Sequence, residues 1–160
     1  MTSIAVTCVS DSPARTCEIA ALIGARLAPG DVILLHGDVG AGKTHFARCL
    51  IQSQLAIPED VPSPTYTLVK TYPGPVAEIW HADLYRLSGP DEIIELGLSD
   101  AFSDAICLIE WPDRLGPHEP PGALHLALAP GAADDARQLR FSASDPRWAD
   151  ILKGVCDDGP

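Results

Sequence analysis

The sequence predicts an α/β fold, a three-layer sandwich whose mixed, mainly parallel sheet carries antiparallel hairpin additions. Three observations predict it. Short apolar runs suited to buried strands alternate with segments of helical periodicity. A glycine-rich segment, Gly37 to Thr44, joins one such run to one such helix. Two further pairs of strands read as antiparallel hairpins.

Taken in order, Ser3 to Val9 forms a first strand. Ser12-Pro13 then supplies a helix cap and a proline at the first helical position. The helix runs to about Leu27, with Ile19, Leu22, Ile23 and Leu27 on one face, and Ala28-Pro29-Gly30 ends it. Asp31 to His36 is a strand buried on both faces. Lys43 to Leu55 is helical, with Phe46, Ala47, Leu50, Ile51 and Leu55 near helical spacing. Ile57 to Thr67 is a loop punctuated by Pro58, Pro62 and Pro64. Leu68 to Tyr72 and Val76 to Ala82 flank a Pro73-Gly74-Pro75 turn and pair as a hairpin. Asp91 to Leu96 is a short helix stopped at Gly97. Ala105 to Ile109 is a buried strand ending at Glu110. Leu124 to Leu128 and Gln138 to Ser142 form a closing antiparallel pair, and the run from Asp145 to Lys153 is a last helix. The 160 residues have the length of one domain, 1–160, with a frayed acidic tail over about 156–160.

Gly37-Asp38-Val39-Gly40-Ala41-Gly42-Lys43-Thr44 is a complete G-x-x-x-x-G-K-T phosphate-binding loop. Its glycines let successive N–H groups point inward at a phosphate chain. Lys43 supplies a positive point charge and the Thr44 hydroxyl suits Mg²⁺. The helix that follows aims the positive end of its dipole at the same place. Strand, loop and helix follow one another as this motif requires, so a P-loop NTPase-like sandwich is the expected fold.

Such a loop needs an acidic partner on a neighbouring strand to orient the metal or its water shell. Two strands end in a carboxylate: Ile106-Cys107-Leu108-Ile109-Glu110 and Trp80-His81-Ala82-Asp83. The sequence leaves open which acid holds the metal and which orients water. Ser63-Pro64-Thr65-Tyr66-Thr67 reads equally as a switch loop able to close over a γ-phosphate or as a proline-rich connector. His81 and Asp83 are two apart in a strand and share a face. His36, His118 and His125 lack metal-ligand spacing.

The net charge of −11, with only 11 Lys and Arg residues and no basic cluster, repels polyphosphate backbones. It argues against autonomous nucleic-acid binding and for docking onto a basic partner. Five cysteines, widely spaced and without a C-x-x-C pair, read as reduced core cysteines of a cytoplasmic protein. Neither a signal peptide nor a membrane span is expected.

Five ordered segments resemble the TsaE (YjeE) family: the loop Gly37 to Thr44, Ser63 to Val69, His81 to Leu87, Glu95 to Leu98, and Ile109 to Pro112. The phosphate loop alone occurs in many families; the five together, in a chain this short, are specific. The resemblance covers about Asp31 to Pro112 and implies an ATPase with ATP and Mg²⁺ as cofactors. It implies action with TsaD and TsaB, which transfer a threonylcarbamoyl group to a tRNA adenosine, so that tRNA is reached only through the complex. By position it implies that Lys43 holds phosphate, that Thr44 and Glu110 handle Mg²⁺, and that Asp83 supports catalysis. Thr65 falls in the switch-like loop, Trp111 beside the nucleotide, and Arg137 toward the base. The family usually carries a second Thr where this chain has His45. An N-K-x-D segment is missing, which favours ATP over GTP. A small-molecule kinase and a nucleotide-gated binding module are the alternative readings. The kinase would need a basic acceptor pocket and a lid.

Overall fold

The computed structural model describes residues 4–38, 40–57, 59–62 and 68–156. Among these described residues seven strands form one sheet in the order β1-β7-β6-β2-β5-β4-β3. They are β1 (Ile4–Ser10), β2 (Val32–His36), β3 (Val69–Pro73), β4 (Glu78–Asp83), β5 (Ile106–Glu110), β6 (Leu124–Pro130) and β7 (Arg137–Ala143). The central strands β6, β2, β5 and β4 run parallel. β3 adds to β4, β7 to β6 and β1 to β7, each pair antiparallel.

The helices are α1 (Pro13–Gly24), α2 (Lys43–Gln54), α3 (Asp91–Glu95), α4 (Leu98–Asp104) and α5 (Trp148–Leu152), with a 3₁₀ helix over Pro112–His118. Strand alternation sorts them into two outer layers. Ile33 and Leu35 of β2 and Ile106 and Leu108 of β5 face α1, α2 and α5, in a core with Ile19, Phe46, Leu50 and Trp148. Val32 and Leu34 of β2 and Cys107 and Ile109 of β5 face the other way, in a core with Ile93, Leu98 and Leu115. A strand buried on both faces must be apolar throughout, which is why β2 and β5 read as unbroken apolar runs.

The expected elements are all present, with shifted ends. α1 stops at Gly24 and α2 at Gln54, short of Leu27 and Leu55. The last helix is confined to Trp148–Leu152. The α1 cap is as read: Ser12 Oγ accepts from the Arg15 amide at 3.1 Å and Pro13 opens the helix. Neither α4 nor the 3₁₀ helix was expected. The cysteines correct the reading of five reduced thiols. Cys8 is bonded to Cys156 and Cys17 to Cys49. Cys107 alone is free, its thiol pushed up to about 12 by burial, with a further contribution from Asp104. The expected fraying over 157–160 lies outside the described residues.

Candidate functional site

The end of β2 and the start of α2 frame a glycine loop. Gly37 has φ 144°, and a Cβ there would stand 2.7 Å from the Leu128 carbonyl oxygen, so no other residue fits. Gly42 caps α2 in the left-handed region at φ 108°. The loop thereby presents the first, unpartnered amides of α2 to the space above the sheet, an anion-binding arrangement.

Parity then decides which acids meet that helix. Ile106 and Leu108 face α2, so Glu110, two residues on, faces it too. The same alternation carries Ile79, His81 and Asp83 of β4 onto this face, and Asp83 pairs in register with Glu110. The Thr44 hydroxyl donates to both Glu110 oxygens, at 2.8 and 3.0 Å. The Nε2–H of His81 donates to Glu110 Oε2 at 2.7 Å. Glu110 is 2% exposed and His81 fully buried, and His81 Nδ1 has no partner among the described residues. Glu110 is thus held by two donors from different elements, which fixes its orientation.

Lys43 is 5% exposed. Its ammonium donates to the Gly37 carbonyl at 2.5 Å and lies 3.5 Å from the centre of the Trp111 ring. Burial lowers its pKa against the opposing pull of Glu110 and Asp83. Burial and the Glu110 charge raise the Asp83 carboxyl, although the Tyr85 amide donates to Asp83 Oδ1 at 3.0 Å. Trp111 reaches this position because it leaves β5 in the left-handed region, at φ 59°. Tyr85 packs on it with ring centres 5.1 Å apart. Arg137 of β7 donates through Nε to the Ala41 carbonyl at 3.1 Å and closes the opposite wall.

These groups surround an open cavity of about 510 Å³, floored by Thr44, Glu110 and Asp83 and walled by Trp111 and Arg137. That volume suits a nucleotide-sized ligand. Its chemistry is one ammonium and a helix N-terminus above paired carboxylates. Thr44 and Glu110 offer adjacent hard oxygen donors, a set that fits Mg²⁺ and poorly fits a soft metal.

Sequence comparison places this geometry in a family. The family model for "Threonylcarbamoyl adenosine biosynthesis protein TsaE" matches residues 10–139. The chain belongs to the TsaE family. A Bacillus subtilis (strain 168) relative named tRNA threonylcarbamoyladenosine biosynthesis protein TsaE is 38% identical over 138 residues, 86% of this chain and 85% of that one. A Rickettsia bellii relative of the same name is 42% identical over 105 residues, 66% of this chain and 73% of that one. The crystal structure of Bacillus subtilis YdiB superposes with a TM-score of 0.77 at 30% identity, covering 97% and 96% of the two chains.

Within this TsaE-family chain, Gly40, Gly42, Lys43, Thr44, His45, Asp83, Glu110, Trp111 and Arg137 all line the one cavity. Gly37, Asp38 and Lys43 also border a neighbouring pocket beside Trp111. Ala41 is buried, and its carbonyl receives Arg137. Val39 and the switch-like loop with Thr65 lie outside the described residues. Sequence reasoning missed Tyr85 and Arg86 as cavity residues, although both stand in the His81–Leu87 segment. It left His81 open, and the structure assigns it to Glu110. The signal was the His-x-Asp alternation, which put His81 on the face of Asp83.

Proposed function

We propose that this chain is a Mg²⁺-dependent ATPase that supports tRNA threonylcarbamoyladenosine modification together with TsaD and TsaB. The observation that carries the reading is the Thr44–Glu110 contact, at 2.8 and 3.0 Å, directly behind a glycine loop and its buried lysine. The relatives' names, tRNA threonylcarbamoyladenosine biosynthesis protein, supply the pathway.

The α2 amides and Lys43 bind the phosphate chain. To do so the Lys43 ammonium exchanges its bond to the Gly37 carbonyl for phosphate oxygens, while Trp111 keeps water from its other side. Thr44 and Glu110 would hold Mg²⁺, which neutralises the charge on the outer phosphates when bound. Asp83, with Oδ1 engaged by the Tyr85 amide, has Oδ2 to orient the attacking water and take its proton. Its raised pKa makes it a better acceptor than an ordinary carboxylate. His81 acts through Glu110 as a positioning residue.

The net charge of −11 supports tRNA being held by the partners rather than by this chain. The two cores share one sheet, which supports a single ATPase domain. Among the described residues no helix is long and apolar enough to cross a membrane; the cytoplasmic location is proposed from the tRNA modification that the relatives' names give. Calorimetric titration with ATP tests the binding step. Binding should weaken sharply without Mg²⁺ and in Lys43→Ala. A phosphorylated small-molecule product would favour a kinase instead.

A further inference from the structure

Behind the phosphate loop, α1 and α2 bring together Cys17, His45 and Cys49. Among the described residues these three are the metal-ligating side chains whose donor atoms converge, all within 4.8 Å of one another. His45 and Cys49 are four apart on α2 and share a face; Cys17 meets them from α1. The imidazole Nε2 stands 3.7 Å from Cys17 Sγ and 3.6 Å from Cys49 Sγ.

Those spacings carry a meaning beyond the S–S bond. With metal–sulfur bonds of about 2.3 Å and metal–nitrogen bonds of about 2.0 Å, a tetrahedral zinc ion holds sulfur and nitrogen ligands about 3.5 Å apart. Both sulfur–nitrogen distances already match. Only the two sulfurs must separate, to about 3.7 Å. Their Cα atoms are 5.0 Å apart, and the parting is a side-chain movement. Two thiolates and an imidazole form a soft, borderline donor set that selects zinc over magnesium. Cys49 is buried, whereas Cys17 and His45 are partly exposed, so an ion can enter from solvent and keep water as its fourth ligand. The other cysteine pair, Cys8 and Cys156, has no such convergence of ligands among the described residues.

We propose that Cys17, Cys49 and His45 form a zinc-binding site when the Cys17–Cys49 pair is reduced. Reduction breaks the S–S bond with two electrons and two protons: an external dithiol supplies both and leaves as its own disulfide, whereas a phosphine supplies the electrons, water supplies the protons, and the phosphine leaves as its oxide. Zinc then displaces the two thiol protons as it binds both sulfurs. His45 Nε2, which lies 3.1 Å from the Pro13 carbonyl, exchanges that hydrogen bond for the metal and carries its proton on Nδ1 instead. The site adjoins the phosphate loop through His45, which also lines the main cavity, yet it needs no nucleotide and does not depend on the proposed ATPase activity.

The test is zinc competition between a chromophoric chelator and the whole chain, reduced by a phosphine and desalted without oxygen. Cobalt serves as a spectral probe on the same wild-type protein. One equivalent of zinc should bind the reduced chain, the oxidised chain should take none, and cobalt should give thiolate charge-transfer bands. Cys49→Ser and His45→Gln should each lower affinity by about a hundredfold or more. The double variant Cys8→Ser/Cys156→Ser should bind like wild type. Reduced wild type competing no better than Cys49→Ser, or a cobalt spectrum without thiolate bands, would overturn the proposal. So would loss of the site in the Cys8/Cys156 double variant.

Discussion

The hydroxyl of Thr44 donates to both carboxylate oxygens of Glu110, joining the first turn of α2 to the end of β5. Sixty-six positions apart in sequence, these two residues meet because β2 and β5 are parallel neighbours. Glu110→Gln should therefore keep most ATP affinity and lower turnover by about a hundredfold or more, since the amide retains the shape but not the charge. Thr44→Ala should weaken chiefly the Mg²⁺-dependent part of ATP binding. Calorimetry with and without Mg²⁺, alongside phosphate release, separates the two. Equal turnover by Glu110→Gln and wild type would remove Glu110 from the reaction.

Lys43 makes a prediction of opposite signs. Its folded pKa is lowered, so the buried charge costs stability, in full at pH values below the folded pKa. The cost is relieved as pH rises toward the unfolded value. Lys43→Met should thus raise the melting temperature of the ligand-free chain at neutral pH, by about 2–4 °C for a gain of ~1 kcal/mol. The same variant should lose the stabilisation that ATP confers. A variant that melts lower and still responds to ATP would contradict both halves.

Asp83 is the pH-sensitive group. Its folded pKa is raised, so its contribution to stability is fully present below the ordinary carboxylate pKa and lost as pH rises through the folded value. Asp83→Asn should be increasingly more stable than wild type across that rise. The acid limb of wild-type turnover should also fall above the usual carboxylate range, because the ionised form accepts the proton. Melting curves and rates over acidic to neutral pH check both. Because Asp83 and Glu110 pair across β4 and β5, their double variant should lose less than the product of the single losses.

How much of this was legible in the chain depends on the kind of information. Glu110 and Asp83 could be read because a buried strand that ends in a carboxylate is a local pattern. Their convergence could not, because period 2 shows which face a residue takes but not which strand lies beside it. β6 beside β2 is a long-range pairing with no local sign. The α4 helix was hidden by its brevity: Leu98–Asp104 buries only Leu98 and Ala101, too few positions to establish a period. Trp111 could be placed near the loop, but its left-handed turn over Lys43 reflects tertiary packing rather than residue preference. The cysteine pairs fell outside local reasoning for the same cause, Cys8 and Cys156 being 148 positions apart.

The sequence puts Thr65 in a segment, 62–67, short of large apolar side chains, and we propose that a docking partner is what closes this segment over the nucleotide. Wild-type protein alone should hydrolyse ATP slowly, and TsaD with TsaB should accelerate it. Thr65→Ala should blunt that acceleration more than it weakens ATP binding by the free chain. Normal stimulation of Thr65→Ala would separate the loop from partner gating.

The central claim is that ATP turnover at the Thr44–Glu110 site sustains repeated tRNA modification. The direct measurement is the number of threonylcarbamoyladenosines formed per TsaD–TsaB complex, with purified tRNA, ATP and Mg²⁺, in the presence of wild-type protein or Glu110→Gln. The account predicts many modified tRNAs per complex with wild type and about one with Glu110→Gln, as expected when the catalytic cycle cannot reset. Equal multiple turnover with both proteins would contradict it.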